Sequence, residues 1–221
     1  MIRSIALAAL SVLIAAPLGA TTYTLEPNHS EGVLRWSHLG FSNPTAQFSR
    51  AEGTLEFDQA NPTRASVTVT IALANLSSGV PDLDDYLHAE EFFNVASFPT
   101  ATFKSRKVEQ GGAPDRFKVT GDLTLRGITK PVTLDVTLNK IGINARDNVP
   151  TVGFEATTTL KRSDFGLGLY VPQVSDEIQV HITCQADEAK AYAAHLQAAA
   201  TAAAANAKQA EQAAEAVRNP R

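Results

Sequence analysis

Phe117-Lys118-Val119-Thr120-Gly121-Asp122-Leu123-Thr124-Leu125 is followed by Arg126-Gly127-Ile128-Thr129-Lys130-Pro131 and then by Val132-Thr133-Leu134-Asp135-Val136-Thr137-Leu138. In the first and third segments apolar and polar residues largely trade places at each step. That period of two gives a strand one dry face and one wet face. The Gly- and Pro-containing cluster between them marks a short connection, which suits an antiparallel pair.

The same rhythm extends outward in both directions. Val67, Val69, Ile71 and Leu73 alternate with smaller or polar neighbours, as do Phe154, Ala156, Thr158 and Leu160, and then Ile178, Val180, Ile182 and Cys184. Gln59-Ala60-Asn61-Pro62 and Gln110-Gly111-Gly112-Ala113-Pro114-Asp115 supply turns. From Thr21 to about Gln185 the pattern amounts to about eight strands. A sheet of that size must hide its apolar face and manage its edges; a closed barrel does both, and a two-sheet sandwich is the competing solution. An eight-stranded barrel is just wide enough to be filled by side chains or to hold one small ligand.

Two stretches break the rhythm. Val80 to Phe93 has an acidic start followed by Tyr86, Leu87 and Phe92-Phe93, which predicts a short helix in the Pro81–Phe93 region. Leu83, Leu87 and Phe92 would cover one end of a barrel. From about Asp187 the composition turns to alanine with scattered Lys, Glu, Gln and Asn, so residues 187–221 read as an alanine-rich helical tail. Tyr192 and Leu196 would dock its first turns, and the remainder is left exposed or for an unknown protein partner.

The N-terminus sets the expected compartment. Met1-Ile2-Arg3 is a short positive start, Ile5 to Ala16 is apolar but for Ser11, and Pro17-Leu18-Gly19-Ala20 ends it with small residues. That is the layout of a secretory signal peptide, residues 1–20, cleaved after about Ala20. Thr21, not Cys, follows, so no lipid anchor is expected and the mature chain is assigned to the periplasm. Removing residues 1–20 takes away Arg3, leaving 19 − 1 = 18 basic against 23 acidic side chains. This balance disfavours nucleic acid, whose phosphates require clustered Lys and Arg, and docking on anionic headgroups.

Catalysis finds little support. Of the five histidines, His195 lies in the tail and His181 alternates outward. Asp84 and His88 stand at helical spacing, an arrangement that suits a metal or acid–base pair but occurs more often as a solvated helix face. No H-x-x-H, H-E-x-x-H or G-x-S-x-G pattern accompanies them. Leu34, Trp36 and His38 share one strand parity, which directs His38 to the end of the interior, either bonding rim carbonyls or meeting a ligand's polar head. The inward faces mix large residues with Ala101, Gly121, Ala156 and Thr158, small side chains that either accommodate taper or leave room.

Ordered segments along this pattern carry a family resemblance. They are Asn28-His29-Ser30 with His38-Leu39-Gly40, Gly53-Thr54-Leu55-Glu56-Phe57-Asp58, Phe92-Phe93-Asn94-Val95 with Phe98-Pro99-Thr100-Ala101-Thr102-Phe103, Gly121 to Val132, and Arg162-Ser163-Asp164-Phe165-Gly166. Together they resemble the YceI family of periplasmic, polyisoprenoid-binding, lipocalin-like proteins, from Tyr23 to about Ile182. The resemblance implies an all-β, antiparallel, eight-stranded lipocalin-like barrel over residues 21–186. It also implies non-catalytic binding, storage or transport of a long-chain isoprenoid or fatty amphiphile, with no cofactor beyond a bound isoprenoid lipid or quinone. A filled barrel whose C-terminal helix recruits a partner is the alternative.

Joined to the inward faces, the resemblance nominates Leu34, Trp36, His38, Phe57, Val69, Ile71, Leu87, Phe92, Phe103, Phe117, Val119, Leu123, Phe154, Ala156 and Phe165 as the cavity lining. The sequence also departs from the family pattern. The family usually carries an acidic residue at Asn28, Gly at Ala46, and Arg at Leu83 and His88, so the mouth of this barrel is less basic.

Overall fold

The computed structural model describes residues 19–218. Most of the leader expected at residues 1–20 therefore lies outside the described residues. Ten strands are present among the described residues: β1 (Thr21–Arg35), β2 (Thr45–Phe48), β3 (Glu52–Phe57), β4 (Ser66–Ala72), β5 (Leu76–Ser77), β6 (Thr100–Gln110), β7 (Arg116–Leu125), β8 (Ile128–Ile143), β9 (Pro150–Lys161) and β10 (Glu177–Glu188). Helix α1 spans Pro81–His88 and α2 spans Ala189–Arg218.

Neighbouring strands pair antiparallel, and β1 meets β10 from Tyr23↔Glu188 to Arg35↔Gln179, which closes the sheet. The ten strands fill eight places around the barrel. β3 pairs with the start of β1 and β2 with its end, so they share one place, interrupted near Ser49–Ala51. β4 and β5 share the next, interrupted by a 3-10 turn at Leu73–Asn75. Bulges between Leu25 and Ser30, Ser105 and Lys107, and Leu138 and Lys140 bend the long strands, as barrel closure requires.

Three connections differ from the sequence expectation. The cluster Arg126–Pro131 is a turn only at Arg126 (φ 51°) and Gly127 (φ 72°), and Leu125 already pairs with Ile128. Two left-handed residues make the tight hairpin whose twist matches its strands, so Ile128–Pro131 belong to β8. Helix α1 stops at His88, after which Phe92 N–H donates to Ala89 O and Phe93 N–H to Leu87 O in successive turns. β1 ends at Arg35 because Leu39 (φ 54°) and Gly40 (φ 74°) turn the chain back, His38 N–H donating to Ser42 O.

One barrel end carries α1, the 36–44 loop and the 166–176 loop; the other carries the turns near Asp58, Asp115 and Asp147 and the start of α2. The core is three apolar clusters. One centres on Tyr23, Leu25, Phe57 and Val152, a second on Ala46, Phe48, Leu76 and Leu87, and a third on Phe103, Val119, Phe165 and Leu167. Asp187 and Glu188 still belong to β10. Tyr192 is half-buried, whereas Leu196 is exposed and Ala193 to Glu215 project from the barrel. No described helix is long and apolar enough to cross a membrane.

Candidate functional site

Between the three clusters lies a cavity of about 260 Å³. Folded interiors contain few voids larger than a water molecule, and one water needs only about 10–15 Å³. The space is therefore a built feature. It arises because side chains of one parity from every place in the barrel point inward: Val67, Val69 and Ile71 from β4, Phe117, Val119 and Leu123 from β7, Phe154, Ala156, Thr158 and Leu160 from β9, and Val180, Ile182 and Cys184 from β10.

The wall offers almost nothing polar. Of its hydroxyls, Ser30 Oγ donates to Gln185 O at 3.2 Å and Thr158 Oγ1 to Thr133 O at 2.9 Å, so these two serve the backbone. Among the described residues no buried side-chain nitrogen or oxygen lacks a partner. Burial pushes the Cys184 thiol pKa up, against a smaller opposing effect of the Ser30 hydroxyl, so the thiol has little thiolate character. Such a wall offers shape and apolar surface, with few polar groups free to bond a guest.

Of the residues nominated from sequence, Leu34, Phe57, Val69, Ile71, Phe103, Phe117, Val119, Leu123, Phe154 and Ala156 lie on the wall. Five lie elsewhere. Trp36, Leu87 and Phe92 pack in the α1-end cluster, and Phe165, 2% exposed, packs against Phe103 and Val119 without reaching the cavity. His38 is exposed in the turn after β1. Ala101 and Thr158 line the space, but Gly121 does not. Sequence reasoning passed over Phe48 and Leu76, and read Leu73 and Phe93 without nominating them; all four are lining residues. Phe48 and Leu76 lie in strands of four and two residues, too short for alternation to register. Phe93 was within view as half of the Phe92-Phe93 pair, and the turn after α1 decides which of the two faces in.

Helix α1 is tied across the barrel end by polar contacts. Asp84 accepts from Ser77 Oγ at 2.6 Å and from Ser78 N–H and Oγ at 2.5 and 2.6 Å. These bonds hold its carboxyl below the ordinary range. His88 Nε2 lies 2.9 Å from Leu76 O. Asp84 and His88 thus both anchor α1 to β5 and the turn that follows it. Tyr86 donates to Tyr170 at 2.9 Å, and that contact is the main cause pushing the Tyr86 phenol up to about 12.

Arg162, buried beside them, organises the adjacent loop. Its Nε donates to Ser175 O at 2.8 Å, its Nη1 to Leu167 O and Leu169 O, and its Nη2 to Val174 O. Desolvation lowers its pKa, offset in part by Asp176. The second hollow, on the outer face of β7–β9, is charged: Lys118 and Asp135 at its rim pair at 2.7 Å. It suits water.

A family model described as YceI-like domain matches residues 23–186. Protein YceI of Salmonella arizonae and that of Salmonella enteritidis are each 36% identical over 165 residues, spanning 75% of this chain and 85% of theirs. Among solved structures, BcnA of Burkholderia cenocepacia is 25% identical with a TM-score of 0.63, over 71% of this chain and 95% of that one. A polyisoprenoid binding domain from Saccharophagus degradans has a TM-score of 0.60 over 76% of this chain and 99% of that one. At 12% identity that second likeness concerns the fold alone.

Proposed function

The chain belongs to the YceI-like family, and on that premise we propose that it binds a long-chain apolar lipid, a polyisoprenoid or isoprenoid quinone, and carries or stores it without chemical change. The observation that supports this most is the apolar cavity left among the three core clusters. Each buried CH₂ contributes about 0.8 kcal/mol, so one five-carbon isoprene unit offers roughly 3–4 kcal/mol. Association costs some 4–15 kcal/mol, and a few enclosed units suffice for micromolar binding. Hydrogen bonds to a headgroup are not needed for that affinity, in keeping with the Ser30 and Thr158 hydroxyls being bonded to backbone.

The leader read at residues 1–20 assigns this activity to the periplasm. There, a lipid with many isoprene units is insoluble and needs enclosure to leave a bilayer. Extraction of protein purified without detergent, followed by mass spectrometry, tests the reading. An isoprenoid lipid at up to one per chain is expected. Absence of lipid, together with no affinity for prenyl chains, overturns it.

A further inference from the structure

Two loops at the α1 end, residues 36–44 and 166–175, contain no Asp, Glu, Lys or Arg in a chain that is 19% charged. They are bonded into one surface. Leu39 N–H donates to Gln173 O at 2.9 Å, Ser175 N–H to Ser37 O at 3.0 Å, and Tyr170 accepts from Tyr86 of α1. From that surface Phe41 projects with 92% exposure, and Leu39, Leu169 and Tyr170 of the same two loops, with Val80 just before α1, are each at least 40% exposed. The opposite end is different: its turns carry Asp58, Arg64, Asp115, Arg116, Arg146 and Asp147, with Ile143 and, on the projecting α2, Leu196 as exposed large apolar side chains.

Backbone strain sharpens the contrast. Leu39 (φ 54°) and Tyr170 (φ 64°) hold left-handed conformations that ordinarily favour Gly or Asn. A bulky apolar residue at such a position, turned toward water, opposes both backbone preference and hydration. Contiguous exposed apolar surface of this kind marks an interaction site.

We propose that this end of the barrel docks on the surface of a zwitterionic phospholipid bilayer, with Phe41, Leu39 and Leu169 entering the headgroup–acyl boundary and the tyrosines at its polar edge. Tyrosine suits that boundary because its ring is apolar and its hydroxyl remains wet. The exposed Asp82, Asp85, Glu90 and Glu91 of α1 and the following turn flank the patch. Arg126, a nearby cation bonded to the carbonyls of Gly166 and Glu90, keeps its charge and offsets one of these four carboxylates. The flank is therefore acidic, which disfavours anionic lipid. It equally disfavours a second copy of this chain, whose own acidic flank would be brought opposite.

The inference rests on the lipid-binding reading for its purpose, since it makes a bilayer the source and destination of the cargo. The two fail separately in a vesicle flotation assay run beside prenol binding without vesicles. The delipidated mature chain, residues 21–221, is expected to float with phosphatidylcholine vesicles and to float less with vesicles containing phosphatidylglycerol. Phe41→Asp is expected to weaken flotation roughly tenfold or more while leaving prenol binding intact. Ile143→Asp, at the other end, is expected to change neither. No flotation, or equal flotation of Phe41→Asp, overturns the docking proposal, as does a concentration-dependent dimer abolished by Phe41→Asp. Loss of prenol binding in an otherwise floating parent chain overturns the carrier reading and leaves docking standing.

Discussion

A Cβ on Gly121 would stand 2.5 Å from Cζ of Phe103, and also 2.5 Å from the Lys104 carbonyl oxygen on the paired strand. The small residue at 121 lets the Phe103 ring lie against β7, so it is a close-packed point in the wall. Gly121→Ala is therefore expected to destabilise the chain by about 1–3 kcal/mol. Urea denaturation checks this, and a variant as stable as its parent contradicts the packing described.

Arg162 holds four backbone carbonyls of the 166–176 loop, and through them Phe165 and Leu167 stay in the third cluster. Arg162→Met keeps much of the volume and strands those carbonyls. A loss on the order of 3 kcal/mol is expected, measurable by denaturant midpoint. An unchanged midpoint would mean that the loop holds itself.

Asp187 is 0% exposed, and burial is the chief cause holding its carboxyl above the ordinary value, opposed by bonds from Thr151 and Gln185 and reinforced by Asp147 and Glu26. The folded chain binds this proton more tightly than the unfolded chain does. Its contribution to stability is therefore complete below the ordinary value of 3.8 and is lost as pH rises through the raised pKa. Asp187→Asn should stabilise the chain at neutral pH and make little difference in strong acid. Asp176 works in the opposite sense. The Ser163 N–H is the first cause holding its pKa down, so its contribution is present above the ordinary value and is lost as pH falls through the lowered one. Denaturation across pH 3–8 should show Asp176→Asn destabilised at neutrality and Asp187→Asn stabilised there. The same sign for both variants contradicts the assignment.

The alanine-rich helix stands clear of the barrel beyond Tyr192. Tyr192 is half-buried and the first turn of α2 packs on β1 and β10, so that turn is docked; burial first, and then Glu26, Asp187 and Asp147, push the Tyr192 phenol up. Removal of residues 197–221 is expected to change barrel stability by less than about 0.5 kcal/mol and to leave lipid binding intact. A large loss of either would make the helix part of the barrel.

Alternation revealed the barrel wherever strands were long. Phe117 to Leu125 and Phe154 to Leu160 each keep one parity toward the interior, and ten nominated lining residues lie on the wall. Closure was less legible, because the β1–β10 pairing joins the two ends of the domain and alternation is local. Parity failed at His38, where Leu39 and Gly40 reverse the chain after the strand has ended. It also failed at Gly121, since a glycine gives the same signal whether it faces space or a ring. Arg162 was visible only as a member of a family segment; its four carbonyl partners are set by a loop conformation that no periodicity encodes.

Ala156 puts the central claim to its most direct test, for it lies on the cavity wall with β-carbon-sized bulk where an indole would occupy the space. Titration of delipidated chain with a polyprenol should show saturable binding at one per chain. Ala156→Trp, folded and of similar stability, should bind at least about tenfold more weakly. Equal binding by the two proteins, or no saturable binding by the parent, would contradict a lipid-holding barrel.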